Sequence, residues 1–258
     1  MMRQSEETEF YQQVLAICLT AGRLMIVGGS EMYRVEDTML RIARNAGVRD
    51  PRVFATPTGV FMSLAGGELS QMIQVRERNM NLELVDRVNG LSREFANHEL
   101  DFAELRDQIE AVETTTPSFP LWLQVLGAAA LSATLMVLFM NDYDWIDFPA
   151  AAGVGGLGFL AYVWFKQMTR IRFISELLAT IVMGLLTLLL HRLFPVTTVA
   201  NILIGGLMTL VPGLALTNAL RDLFMGDLLS GVVRLFEAGL TAVSLGAGVA
   251  LMIKFFGA

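Results

Sequence analysis

The chain has 258 residues, of which 54% are hydrophobic and 17% charged, and its mean hydropathy is +0.54. Soluble domains carry roughly 25% charged residues, so this composition excludes a wholly soluble protein. The charges are unevenly divided, because 30 of the 44 charged residues lie before residue 119. We therefore predict a water-soluble front part joined to a membrane-embedded back part.

The net charge of -6 arises in the front part and argues against a nucleic-acid partner, whose phosphates attract basic surfaces. Cys18 is the single cysteine, so the sequence offers neither an intrachain disulfide nor a thiol cluster for zinc. It also lacks the GxxxxGK[ST], HExxH and GxSxG motifs. We predict that the chain is not an enzyme and has no cofactor or metal site.

Local patterns in the front part predict helices and a small sheet. Apolar residues at helical spacing indicate four helices. The first, over 9–25, is predicted to be amphipathic, with Val14 and Cys18 on its apolar face. The others lie between Ser30 and Gly47, over 82–95, and after a capping box of Asp101 and Glu104. β-rich runs indicate three strands, over 52–56, 59–64 and 69–76. The start of the chain is acidic and lacks a signal peptide. We predict an α+β cytoplasmic domain over residues 1–116.

The back part contains long apolar stretches. A membrane-spanning helix needs about 20 apolar residues, and five stretches qualify, over 121–140, 148–165, 173–190, 199–220 and 228–256. We predict an all-α membrane domain of five transmembrane helices over residues 117–258. An odd number of crossings would place a second, similar unit upside down relative to this one, as in transporters built from inverted repeats.

The loops of the back part predict its orientation. Basic residues are retained on the cytoplasmic side of a membrane, so the loop with Lys166, Arg170 and Arg172 should face inward. The loop over 141–147 carries aspartates at 142, 144 and 147 and should face outward. We favour an ordinary acidic loop over a calcium site there, since the glycine and distal glutamate of an EF-hand are missing. The C-terminus is then predicted outside.

A polar stripe follows the fourth apolar stretch. Small and polar residues recur there every four positions, and Pro212 breaks the helical hydrogen-bond ladder. One interpretation is a binding spot for a polar solute in a broken helix. The other is a packing groove, because small residues let helices approach closely. The candidate substrate path consists of Asn201, Thr209, Pro212, Gly213, Thr217 and Asn218.

Five charged residues lie at or within the last two apolar stretches. Arg234 and Glu237 are three positions apart and could neutralise each other. Alternatively, Arg234 pairs with Asp222 or Asp227 and gates the inner mouth, or Glu237 carries a proton. The candidate gating or proton-coupling residues are Arg221, Asp222, Asp227, Arg234 and Glu237.

Four segments together resemble the bacterial threonine/serine exporter family. They are GSEMYRVEDT at 29–38, TPTGVF at 56–61, VPGLALTNALRD at 211–222 and GDLLSG at 226–231. The resemblance implies a cytoplasmic N-terminal domain and secondary export of threonine, serine or, in a two-component branch, succinate. It also implies a smaller integral membrane subunit that supplies the second membrane unit, while a homo-oligomer is left open.

The first two segments add candidate residues in the front part. These residues could contact a substrate, a partner or the membrane loops, or they could form a solvated helix face with an Asp37–Arg41 pair and an Arg34 pair, which we favour. They are Glu31, Tyr33, Arg34, Glu36, Asp37, Thr56 and Thr58. The leading hypothesis is an exporter subunit of the bacterial cytoplasmic membrane. The alternative is a membrane-anchored sensor or assembly protein whose front domain binds a ligand or partner.

Overall fold

The computed structural model describes residues 2–64, 67–76, 80–116, 119–140, 145–195 and 197–256, with side chains from residue 6 onward. The described part contains ten helices and one three-stranded sheet. The elements are α1 (Met2–Val27), α2 (Met32–Asn45), β1 (Arg52–Thr56), β2 (Gly59–Leu64), β3 (Leu69–Gln74), α3 (Leu82–Ala96), α4 (Phe102–Thr115), α5 (Leu121–Met140), α6 (Asp147–Thr169), α7 (Arg172–Leu193), α8 (Val199–Leu207), α9 (Gly213–Met225) and α10 (Leu228–Phe256).

The chain forms two compact units, and neither is a continuous stretch of sequence. The first comprises Met1–Pro117 and Leu214–Leu235, so it holds α1–α4, the sheet, nearly all of α9 and the start of α10. The second comprises Ser118–Gly213 and Phe236–Ala258, with α5–α8 and the rest of α10.

Helix α1 is the central helix of the first unit. It contacts α2, α3, α4, β2 and β3. The predicted apolar face is buried at Val14 and Cys18, but Leu15, Leu19 and Ile26 outside that face are buried as well. A helix that is apolar all round is normally enclosed by other elements. The prediction of a one-sided amphipathic helix therefore described only part of this helix.

The antiparallel sheet packs one face into the first unit. Thr56 pairs with Gly59 across a tight turn, and the strand order is β1-β2-β3. Val60, Met62 and Leu64 alternate along β2 and are buried in the core of the unit. On the opposite face, the cross-strand neighbours Phe54, Phe61 and Met72 remain exposed.

Small residues bring the helices of the second unit close together. The Ser132 hydroxyl of α5 donates to the Ala151 carbonyl of α6 at 2.7 Å, and Gly155 faces the same serine. A side chain at Gly205 of α8 would place its Cβ 2.8 Å from both the Met136 Cβ and the Ser132 carbonyl oxygen. Such close approach is typical of helix packing in membranes.

Five helices of the described part are long and apolar enough to cross a membrane: Glu6–Val27, Leu121–Met140, Asp147–Thr169, Arg172–Leu193 and Leu228–Phe256. Four of these correspond to predicted spans. The predicted span over 199–220 is instead divided, because α8 ends at Leu207 and α9 begins only at Gly213. The interruption expected at Pro212 is present. The fifth candidate span lies in helix α1, which the sequence predicted to belong to the water-soluble front part.

The predicted fold class, an α+β cytoplasmic domain followed by an all-α domain of five transmembrane helices, is wrong. The structure is 76% helical with a small sheet, and the described residues show no separate soluble α+β domain. Residues 214–235 pack in the same unit as the N-terminal segment. The charge distribution along the sequence reports local composition. It does not reveal that buried polar groups in 214–235 have their partners near residue 30.

Candidate functional site

Two tight turns of the first unit position the backbone of a polar site. Between α1 and α2, Gly29 has a φ of 90°, a left-handed conformation that favours glycine, and the Ser30 N–H closes α1 on the Met25 carbonyl at 2.9 Å. Between α9 and α10, Gly226 has a φ of 94°, and the Asp227 N–H closes α9 on the Asp222 carbonyl at 2.9 Å. Both glycines belong to segments singled out in the sequence.

Side chains of α9 and α10 bind the connection between α1 and α2. The Asn218 amide donates to the Gly29 carbonyl at 2.9 Å, and the Arg234 guanidinium donates to the Ser30 carbonyl at 2.6 Å. Asp222 Oδ1 accepts from the Met32 N–H at 3.0 Å. Arg221 forms an ion pair with Glu31. We call this set the polar junction; it consists of Gly29, Ser30, Glu31, Met32, Asn218, Arg221, Asp222 and Arg234.

Asp222 supplies the cap that α2 lacks in its own sequence. Glu31 occupies the N-cap position of α2 without a side-chain capping bond, whereas Asp222 reaches the first N–H of that helix from α9. A carboxylate at a helix N-terminus satisfies a free N–H and is favoured by the helix dipole. The α9 segment therefore completes α2.

Asp222 and Arg234 form a buried ion pair at the centre of the polar junction. Arg234 Nη1 lies 3.4 Å from Asp222 Oδ2, and the two residues are 6% and 0% exposed. Burial raises the pKa of Asp222, and the Arg234 guanidinium opposes this rise. Among the alternatives for Arg234, the structure has the pairing with Asp222. Glu237 lies three residues later on α10, in the second unit.

The rim of the polar junction is more exposed than its centre. The Arg221 side chain is 47% exposed, while that of Glu31 is 10% exposed and also pairs with Arg34 Nε at 3.2 Å. Arg34 Nη2 further donates to the Tyr33 hydroxyl at 3.4 Å. Glu31 thus has two arginine partners, so the loss of either leaves its carboxylate paired.

The remaining candidates of α2 have separate roles. The predicted Asp37–Arg41 pair is present on the exposed side. Glu36 is half-buried, and its carboxylate accepts from the Ala55 N–H at 2.8 Å, which ties α2 to β1. The favoured interpretation of these residues as a solvated helix face is therefore correct for Asp37. It is wrong for the buried Glu31 and for the half-buried Glu36.

Thr56 and Thr58 close the β1–β2 hairpin. The Thr56 hydroxyl donates to the Gly59 carbonyl at 2.9 Å and lies 3.4 Å from the exposed Thr58 hydroxyl. The Thr58 carbonyl accepts from the Val75 N–H at 2.9 Å. These contacts are those of a structural turn, and neither threonine is part of the polar junction.

Two carboxylates of the first unit, Glu36 and Asp227, are predicted to make stability depend on pH. Burial raises the pKa of Glu36, as does the nearby Asp227 carboxylate, while the Ala55 N–H lowers it. Burial also raises the pKa of Asp227. A raised carboxyl pKa means that the folded protein binds the proton more tightly than the unfolded chain. Stability should therefore fall as pH rises through the interval between the unfolded and folded pKa values.

Glu36→Gln should remove part of the loss of stability at higher pH, because glutamine keeps an oxygen for the Ala55 N–H but cannot ionise. Above the interval the variant should unfold at a higher temperature than wild type, and the difference should vanish below about pH 3, where Glu36 is protonated in both states. The measurement is the unfolding midpoint in detergent micelles against pH. Glu113→Gln is the control of opposite sign, since Arg23 lowers the pKa of Glu113. Parallel curves for Glu36→Gln and wild type would refute the prediction.

The path residues of the second unit are mainly structural in their contacts. The Asn201 amide donates to Asp147 Oδ2 at 3.2 Å, and Asp147 Oδ1 accepts from the Thr198 N–H at 2.9 Å, which caps α8. The Thr209 hydroxyl donates to the Gly206 carbonyl at 2.8 Å. Asp147 is fully buried at the start of α6, so its prediction as a loop residue is wrong, while the side of the membrane that it faces stays a prediction. Asp142 and Asp144 lie outside the described residues.

The helix break borders an apolar groove of about 240 Å³ in the second unit. Pro212 and Met208 line it from the break, and Leu245 and Gly246 line it from α10. Gly213 and Thr217 are exposed at the start of α9. The polar character expected beside Pro212 is therefore absent from the described lining. Asn201 and Asn218, near the two ends of the stripe, bond to other parts of the chain, at Asp147 and at the Gly29 carbonyl.

Comparison with known proteins decides the family. The model of a family described as "Putative threonine/serine exporter" matches residues 16–256, which include the whole polar junction. The chain belongs to the threonine/serine exporter family. The segments that resemble this family at 29–38 and 211–222 contain every residue of the polar junction except Arg234.

Among its relatives is the "Probable succinate transporter subunit YjjP" of Escherichia coli strain K12, 22% identical over 97% of this chain and 98% of the relative. The protein of the same name from Klebsiella aerogenes is 22% identical over 98% of both chains. The "Pheromone-regulated membrane protein 10" of Kluyveromyces lactis is 22% identical over 95% of this chain but only 26% of the relative. No solved structure matches the chain.

Family membership and the candidate spans together make this exporter-family chain a multi-pass membrane transport protein. Sequence reasoning missed two of its buried acids, Asp147 and Glu176. Asp147 was assigned to a loop by charge counting. Glu176 lies near the start of the predicted span over 173–190, where charge counting along the sequence gives it no role. The signal that could have singled them out is the cost of an ionisable group in a membrane helix.

Proposed function

We propose that the chain is one subunit of a secondary exporter of small polar metabolites in the bacterial cytoplasmic membrane. The solute is threonine, serine or a dicarboxylate such as succinate, and a smaller integral membrane subunit supplies the second membrane unit. Two relatives support this proposal, since they carry the words succinate transporter subunit in their names. The loop with Lys166 and Arg170 faces the cytoplasm, because basic residues are retained on that side of a membrane.

The polar junction is the observation that carries the proposal. A membrane anchor has no need for a buried arginine, aspartate and asparagine that bind the backbone of a distant connection. Such groups are costly to bury and are retained where they specify one arrangement or switch between two. The family segments supply most of these groups. We therefore assign the polar junction the control of access to the solute path from the cytoplasm.

The two layers of the polar junction suit a switch. At the rim, the exposed Arg221 can leave Glu31 at little cost, because exposed ion pairs contribute only about 0–1 kcal/mol and Arg34 remains as partner. At the centre, separating Asp222 from Arg234 leaves two buried charges uncompensated. The rim can exchange partners freely, whereas the centre opens only when another group, such as the solute, compensates the charges.

Efflux measurements test this function. Cells that lack the chain and its partner should retain labelled threonine, serine or succinate, and co-production of both subunits should restore efflux of at least one of them. Thr217→Val, Asn218→Leu and Glu237→Gln, made singly, should each abolish the restored efflux while membrane insertion persists. Thr134→Val is the matched control, because this exposed hydroxyl donates only within its own helix.

Unchanged efflux in all three variants would reject the proposed path. Restoration of none of the three solutes would reject the proposed solute classes. If the chain inserted normally and bound a partner without moving any solute, the sensor or assembly alternative would gain support.

A further inference from the structure

Glu176 is a buried acid within a candidate membrane span. It lies one turn into α7 and is 2% exposed. Helix α7 corresponds to the candidate span Arg172–Leu193. An ionisable side chain inside a span is expensive and usually has a function in the transport of ions or solutes. Glu176 takes no part in the polar junction, which lies in the other unit.

The Glu176 carboxylate is only half satisfied. Oε1 accepts from Arg172 Nε at 2.8 Å and from the Thr241 hydroxyl at 3.3 Å. Oε2 is buried and has no hydrogen-bond partner among the described residues. An unsatisfied buried acceptor costs about 1–3 kcal/mol, and more when it is charged. Asp222 Oδ2 also lacks a hydrogen bond, but it lies 3.4 Å from Arg234 in the polar junction. The open, buried oxygen of Glu176 offers a place for a proton.

The helices around Glu176 limit access to it. A side chain at Gly248 of α10 would place its Cβ 2.7 Å from the Thr180 Cβ and 3.0 Å from the Leu177 carbonyl oxygen, so α10 lies directly against α7. The Arg172 side chain is 45% exposed, in contrast to the buried acid. Of the two side chains that donate to Glu176, Arg172 is therefore the one that reaches the surface, since Thr241 is fully buried.

Other titratable groups surround this carboxylate. Tyr162 of α6 interacts electrostatically with both Arg172 and Glu176. On α10, Glu237 lies one turn before Thr241, the residue that donates to Glu176. Arg172 is the basic partner on α7 itself. The charges of these neighbouring groups therefore influence how readily Glu176 binds a proton.

We propose that Glu176 is the proton-binding site that couples the proton gradient to export, an inference that rests on the proposed function. A proton from the outer side binds Oε2 and converts the carboxylate to a neutral acid. The pair with Arg172 is then lost, and the half-exposed guanidinium moves into water. Release of the proton to the cytoplasm restores the carboxylate and its bond to Arg172. One proton enters and the solute leaves, with charge conserved at each step.

Inverted membrane vesicles from cells that produce the chain and its partner test this coupling. Radiolabelled threonine and succinate serve as probes, and an acidic vesicle interior should drive their accumulation by wild type. Glu176→Gln should lower gradient-driven accumulation by about 10-fold or more, because the neutral amide cannot carry the proton. Exchange of labelled for unlabelled probe at equal concentrations should persist, since it needs no net proton movement. Thr187→Val is the control, as that buried hydroxyl donates only to the Met183 carbonyl of its own helix.

Two outcomes of this assay would overturn the coupling role. Gradient-driven accumulation by Glu176→Gln equal to wild type would show that another group carries the proton. Loss of exchange together with accumulation would show that Glu176 is needed for structure or solute binding instead.

An infrared titration tests the proton site without transport. Purified wild-type protein should show a pH-dependent carbonyl band of a protonated carboxylic acid that Glu176→Gln lacks. Identical bands in both proteins would overturn the inference. If wild type moves neither probe but the band is present, the proposed function fails while the proton site stands.

Discussion

Replacement of Arg234 by methionine is expected to lower the free energy of unfolding by about 3–5 kcal/mol, the cost of leaving one member of a buried ion pair alone. Methionine fills a similar volume but cannot neutralise the Asp222 carboxylate, which is fully buried. It also leaves the Ser30 carbonyl without the donor that lies 2.6 Å away. Both losses fall on the same connection between α1 and α2.

Arg221→Met is the matched control for this effect. Arg221 belongs to the same polar junction, but its side chain is 47% exposed and its partner Glu31 keeps Arg34 at 3.2 Å. The expected loss is about 1 kcal/mol or less. Denaturant unfolding in mixed micelles compares the two variants. Equal losses would show that burial does not determine the strength of the Arg234 contacts.

The double variant Asp222→Asn with Arg234→Met separates the ion pair from the other contacts of Arg234. It removes both charges, so it should be more stable than Arg234→Met alone, although the Ser30 carbonyl remains unpaired. A double variant that is less stable than Arg234→Met would contradict an ion pair as the source of the effect.

Local sequence patterns were sufficient to predict most of the individual helices and strands. The three strands begin and end within two residues of their predicted limits. The capping box of Asp101 and Glu104 is present at the start of α4. The break at Pro212 could also be predicted, because a proline without an N–H interrupts a helix whatever surrounds it. These features depend on residues that are neighbours in sequence.

Long-range packing could not be predicted in the same way. The bonds from Asp222 to Met32 and from Arg234 to Ser30 join residues 190 and 204 positions apart. The sequence around one residue of such a pair does not identify the other residue as its partner. For the same reason α1 was taken for a one-sided helix, although it is enclosed by five other elements.

Position along the sequence was also misleading for the buried acids. Asp147 follows two other aspartates and looks like a loop residue, yet it caps α8 through the Thr198 N–H. Glu176 lies near the start of an apolar stretch, yet it receives a bond from Thr241, 65 residues later in the chain. Their burial depends on helices that come together only in the folded protein.

Neutralisation of Asp222 is the second prediction with a large effect. Asp222→Asn keeps an oxygen for the Met32 N–H but removes the charge that faces Arg234. Hydrogen bonds to charged groups contribute about 1.5–3 kcal/mol, and about 1.4 kcal/mol corresponds to a 10-fold change in an equilibrium. Loss of this stabilisation should shift the equilibrium from the closed polar junction, in which residue 222 is bound to Arg234, toward an open one, in which the two are separated. The expected shift is about 10- to 100-fold. Export should fall by a similar factor while the chain remains inserted.

The most direct test compares efflux of labelled threonine, serine and succinate from cells that produce the partner with wild type, Asp222→Asn or Asp37→Asn. Asp37 is the control because its pair with Arg41 lies on the exposed side of α2. If the polar junction controls access to the path, Asp222→Asn should lose efflux at unchanged membrane abundance, whereas Asp37→Asn should match wild type. Wild-type efflux by Asp222→Asn would contradict a role of the polar junction in export.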